Sequence, residues 1–181
     1  MASVISGDAN VSATEFGYLD GVTAALQGQV DSKLDLAGGK ILQTIANTHS
    51  TAVAISGTSF LDIGLSATIT PSASNSKILV MYSALVDARS TGAQSGARLK
   101  VFRDATSIAE GLSDGDIFIN AATSATFTIL TGRITGFILD TPTTTSSTVY
   151  KLQGCGSQAD DTATFQRNNN TSYLVLMEVS A

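Results

Sequence analysis

The chain has 181 residues, enough for one domain and a short extension, with 43% hydrophobic and 14% charged residues and a net charge of −5. That balance excludes a disordered chain, which needs high charge and little apolar content. The scattered lysines and arginines of an acidic chain argue against a nucleic-acid-binding face. A single cysteine, Cys155, rules out an intrachain disulfide framework. No run approaches the roughly 20 apolar residues that cross a bilayer, and the polar start is not that of a signal peptide.

Residues 1–10 are polar and are expected to form an extended arm. Residues 11–36 read VSATEFGYLDGVTAALQGQVDSKLDL and carry the one helical pattern of the chain. Ser12 and Glu15 have the spacing of a capping box, with Val11 and Phe16 at the positions of a hydrophobic staple. Leu19, Val22, Leu26, Val30 and Leu34 follow at steps of three or four, which makes one apolar stripe. Gly38-Gly39 supplies the stop. Gly17, Gly21 and Gly28 each cost about 1 kcal/mol in a helix, so the stripe needs a partner. The chain offers no second helix, and the simplest partner is the same stretch of another copy. Residues 11–39 are therefore expected to be a helical coiled-coil stalk.

The run from Ser12 to Leu36 resembles the linker repeats of bacteriophage tail fibres. The resemblance rests on Phe16, Tyr18-Leu19-Asp20-Gly21-Val22 and residues 27–33 in order. It implies a homotrimeric fibre or spike on a phage particle, made in the bacterial host cytoplasm. Its N-terminal end would meet other tail or capsid proteins, and its tip a host surface glycan or protein. The rest of the chain is similar in style to the β-rich knobs of such fibres, in Ile69-Thr70-Pro71 leading into Ser76-Lys77-Ile78-Leu79-Val80 and in residues 173–179.

Beyond residue 39 the apolar period changes from 3.6 to 2, the switch from helix to strand. Strands are expected at 40–47, 52–56, 59–63, 66–70, 77–87, 97–103, 124–130, 133–140, 148–155, 163–166 and 172–179. Turns are expected at Gly57-Thr58, 71–75, 91–96, Thr131-Gly132, 142–147, 156–161 and 168–170. Many short strands with regular turn signals predict a jelly-roll-like antiparallel β-sandwich head over 40–181. Residues 77–87 and 173–179 are apolar on both faces, which predicts a second burial event such as an interface around a threefold axis.

No catalytic, phosphate-binding or zinc pattern is present. Asp114-Gly115-Asp116 and Asp160-Asp161 read as turn formers rather than a metal site or a glycosidase pair. Neither an enzyme, a cofactor nor a metal is expected. Three roles remain: a receptor-binding tip, a structural decoration or connector, and a polysaccharide-degrading tailspike. Counting one reversal per turn back from residue 179 places the loops at 71–75, 104–123, 142–147 and 168–171 at the distal end. The expected receptor-binding residues are Asp114, Asp116, Asn120, Thr143, Thr144, Arg167, Asn168 and Asn169. Arg167 is expected to pair with a carboxylate or phosphate of a surface sugar. The loops at 89–96 and 156–161 are expected at the base.

Overall fold

Period-two alternation decides most of the architecture. In β3 (Leu61–Ile69) Ile63, Leu65, Ala67 and Ile69 are buried, and the residues between them are exposed. In β4 (Lys77–Ser90) Ile78, Val80, Ala84, Val86 and Ala88 point into the same core. The computed structural model describes residues 39–91, 94–110, 117–120 and 128–181. The expected arm and the expected stalk up to residue 38 lie outside them, Leu19, Val22, Leu26, Val30 and Leu34 included. So do Asp114 and Asp116.

The remaining strands are β1 (Ile41–His49), β2 (Val53–Ser56), β5 (Gln94–Arg103), β6 (Thr106–Glu110), β7 (Ile117–Asn120), β8 (Thr128–Asp140), β9 (Thr148–Gly156), β10 (Asp161–Phe165) and β11 (Ser172–Val179). A single 3-10 turn, Arg167–Asn169, separates the last two.

Three pairs of these strands are segments of one row. β8 runs along the whole of one edge of β4, from Ser90↔Thr128 to Ile78↔Asp140. On the other edge β11 pairs with residues 77–83 and β10 with residues 86–90, in the same direction. β10 and β11 are therefore collinear. β1 on β11 and β2 on β10 form a second broken row, and β6 and β7 share the edge of β5 opposite β9 as a third. Numbered in chain order, eight rows result. Rows 1-8-3-6 make one antiparallel sheet, here sheet A, and rows 2-7-4-5 make sheet B. Row 1 pairs with 8, 2 with 7, 3 with 6 and 4 with 5, which is the order of one long hairpin wound into a jelly roll. The mainly β, jelly-roll-like sandwich is thus the observed fold.

The core between the sheets holds Ile55, Phe165, Leu174 and Leu176 from sheet A against Leu99, Val101, Tyr150 and Leu152 from sheet B, all buried. Cys155 is buried among them. Gly136 leaves room for Tyr82, since a Cβ there would meet the Tyr82 hydroxyl at 2.5 Å.

The broken rows overturn the count of reversals. Gly39 N donates to Ser180 O (3.2 Å) and Ser180 N to Lys40 O (2.9 Å), which marks one end of the sandwich, the near end. Register places 71–76 and 141–147 at this near end, not the distal one. It places 89–91 and 157–160 at the opposite, far end, not the base. The segment at 166–171 is a jog halfway along a row and reverses nothing. Thr131-Gly132 is no turn, because β8 passes straight through it. Likewise, 59–63 and 66–70 are one strand, bulged at Gly64, where φ is 80° and the ring of His49 occupies the space of a side chain.

Candidate functional site

The outer face of sheet A divides into an apolar near half and a polar far half. Directly opposed residues of antiparallel strands share a face. The rows Met177–Leu79–Leu139 and Val175–Met81–Phe137 therefore lie side by side, with Tyr173 beside them. Phe137 is 79% exposed, Leu139 54% and Tyr173 48%, and Ile41 at the same end is 59% exposed. The two-faced apolar pattern of 77–87 and 173–179 is real: one face fills the core and the other is left on the surface. Arg133 borders the patch, its guanidinium 5.9 Å from the Tyr173 ring and donating to Thr171 O at 2.9 Å.

The far half is organised by Asp87, a carboxylate only 1% exposed on that outer face. It accepts from Arg89 Nε (2.6 Å), Thr131 Oγ1 (2.9 Å) and Arg167 Nη1. Arg167, expected to pair with a surface sugar, donates through Nη1 to Asp87 and ties the 166–171 jog to β4.

At the far end a cleft of about 280 Å³ opens between Arg89, Ser90, Thr91, Asp160 and Thr162. A buried carboxylate builds its wall. Asp161 Oδ2 accepts from Ser157 N (3.0 Å), Ser157 Oγ (2.8 Å), Gln158 N (2.8 Å) and Gly96 N (3.2 Å), which fixes the 157–160 turn against β5. Asp160 is thereby presented on the surface, where Ser90 Oγ donates to its Oδ2 at 2.8 Å.

The near end is closed by two internal polar clusters. Glu178, buried, accepts from Ser72 N (2.7 Å), Ser72 Oγ (2.6 Å) and Gln43 Nε2 (2.6 Å). Burial pushes its pKa up, but hydrogen bonds from Ser72, Gln43 and Ser76 outweigh burial and hold it at about 2. Asp140 takes a bond from Arg103 Nη1 at 2.8 Å and one from Tyr150 Oη at 2.6 Å. Burial first, and that bond second, raise the Tyr150 phenol above its usual value.

The expected receptor residues do not come together. Thr143 and Thr144 sit at the near end, and their hydroxyls bond within their own turn, to Pro142 O (2.8 Å) and from Ser146 N (3.0 Å). Arg167, Asn168 and Asn169 lie on the jog. Asn120, opposite Gln94, is at the far end. Arg89, Ser90, Thr91 and Thr162 were not among the expected residues, and no local motif marks them. They meet because register brings the end of β4 beside the start of β10.

No protein-family model matches the chain, and no curated protein does. Among solved structures, it is similar to the infectious bursal disease virus Gx strain structure, with 14% identity over 77% of this chain and a TM-score of 0.39. It is also similar to the VP2 subviral particle of infectious bursal disease virus, again with 14% identity over 77% of this chain and a TM-score of 0.39. The chain spans 41% and 40% of the length of those two chains.

Proposed function

We propose that the chain is a structural protein of a bacteriophage particle, the homotrimeric tip of a tail fibre or spike, which recognises a bacterial surface receptor during adsorption. It is made in the host cytoplasm and attaches to other tail or capsid proteins through its N-terminal side. The observation that carries the reading is the second apolar surface. Sheet A already buries one face in the core, yet Phe137, Leu139, Ile41 and Tyr173 crowd the outside of its near half. Contiguous exposed apolar patches mark association sites. The apolar stripe expected over 19–34 asks for the same kind of partner, a second and third copy. The reading contains no catalytic step, cofactor or metal.

Sedimentation of the full chain should give three times the 18.6 kDa chain mass. Phe137→Ser with Leu139→Ser should lower that mass without unfolding, since both side chains are exposed. A wild-type monomer at micromolar concentration overturns the reading. Adsorption of the labelled chain to a panel of Gram-negative and Gram-positive strains separates a receptor-binding tip from a connector, which binds none. Incubation with the polysaccharide of a bound strain should release no reducing ends.

A further inference from the structure

The far-end cleft has the chemistry of a ligand site rather than of a turn. Its walls come from two places in the chain, 89–91 and 160–162, and each is held from behind. Pairing with β8 and β10 fixes the backbone of Arg89. The bond from its Nε to buried Asp87 fixes its guanidinium, and Asp161 fixes the turn that carries Asp160. Among the described residues, no hydrogen bond reaches the two terminal nitrogens of Arg89 or Oδ1 of Asp160. A strong donor and a strong acceptor therefore line one opening, with Thr91 and Thr162 beside them, the Thr162 hydroxyl also pairing with Ser56 Oγ at 3.0 Å.

Charge narrows the ligand. Asp87 is shared between Arg89 and Arg167, so the two arginines are balanced only with Asp160 counted, and an anion entering the cleft would meet Asp160. A cation would meet Arg89. A sugar hydroxyl both donates and accepts, so two adjacent ones satisfy Asp160 and Arg89 together. Ile129, the cross-strand neighbour of Arg89 on the same face, is 45% exposed and offers an apolar flank to the C–H face of a ring. About 280 Å³ falls just below the roughly 300–1,000 Å³ of pockets that hold drug-sized ligands, which suits one ring. We propose that this cleft is a saccharide site, in which Arg89, Asp160 and the Ser90, Thr91 and Thr162 hydroxyls hold one neutral sugar residue. The proposal rests on the receptor-recognition reading above. It puts the site on two loops that the count of reversals assigned to the opposite end.

The methyl glycosides of glucose, galactose, mannose and N-acetylglucosamine are titrated one at a time into the full chain and followed by saturation-transfer NMR. At least one should bind. Asp160→Asn, at an exposed position and with folding checked by circular dichroism, should weaken it about tenfold or more, the scale of one charged hydrogen bond. Arg89→Lys should do the same, and Thr144→Ala at the near end should change nothing. Binding by none of the four glycosides overturns the proposal, as does binding that survives both Asp160→Asn and Arg89→Lys. The bacterial panel separates the two readings. A strain that takes up the Asp160→Asn variant as well as wild type sinks the cleft and leaves receptor recognition standing. A glycoside that binds in the cleft, with no strain adsorbing wild type, does the reverse.

Discussion

Replacing Glu178 by glutamine should cost this domain stability in a way that depends on pH. The carboxylate is buried at the near end, with Ser72 on one oxygen and Gln43 on the other. Glutamine keeps the oxygen that faces Ser72 but turns an NH2 toward the Nε2 of Gln43. Flipping the Gln43 amide does not help, because the same Nε2 also donates to Thr70 O at 2.7 Å. One donor is left facing another, and two charge-assisted bonds become neutral ones. The expected loss is about 2–3 kcal/mol at pH 7, or roughly 5–10 °C in melting temperature. The sign with pH follows from the depressed pKa. The folded value is about 2 against an ordinary 4.5, so the contribution is complete above pH 4.5 and fades as pH falls toward 2. A shift of that size is worth at most about 3 kcal/mol. Thermal melts of wild type and Glu178→Gln, followed by circular dichroism from pH 7 to pH 2.5, should therefore converge below pH 4.5. The difference isolates Glu178, because the other carboxylates titrate in both proteins. Melting temperatures that stay equally far apart from pH 7 to pH 2.5, or that never differ, would refute the reasoning.

Gly154→Ala places a methyl group against the Phe165 ring and within 3.1 Å of Ile63. It should lower the urea midpoint by the equivalent of about 1–3 kcal/mol, and Phe165→Leu in the same chain should restore part of that. Asp87→Asn removes the anion that holds Arg89 and Arg167. Both arginines are partly exposed and can rehydrate, so the loss should stay near 1–3 kcal/mol, and hydrogen exchange at 166–171 should accelerate.

Which parts of this fold were legible follows from where the information lies. Apolar runs bounded by turn residues located β9 and β11 almost to the residue and β4 to within three residues at its end, because that signal is local. Two glycine-centred interruptions misled. Gly64 sits in a bulge and Gly132 inside a 13-residue strand, yet a glycine that interrupts an apolar run also has the sequence signature of a turn. β6 and β7 are stubs of five and four residues held by the edge of β5, and stubs that short have no period to read. The far-end cleft was out of reach for a different reason. Its residues come from 89–91 and 160–162 and are neighbours only through strand register, which is fixed by the whole sandwich.

The jog at 166–171 gives the sharpest test of what its asparagines do. Gln166, Asn168 and Asn169 have φ of 53°, 57° and 58°, left-handed values that asparagine tolerates and branched residues do not. Gln166 is fully buried, with its Nε2 donating to Ser172 Oγ at 3.1 Å, whereas Asn168 and Asn169 are exposed. The backbone alone thus accounts for two residues expected to bind receptor. Asn168→Gly keeps the conformation and removes the amide, so stability should change by less than about 1 kcal/mol. Asn168→Val keeps a side chain and forbids the conformation, at a cost of about 1–2 kcal/mol. If the asparagine serves only the backbone, the glycine variant adsorbs to bacteria as well as wild type, while the valine variant melts lower. A glycine variant that melts normally but no longer adsorbs would instead make the Asn168 amide a receptor contact and move the recognition surface from the far end to the middle of sheet A.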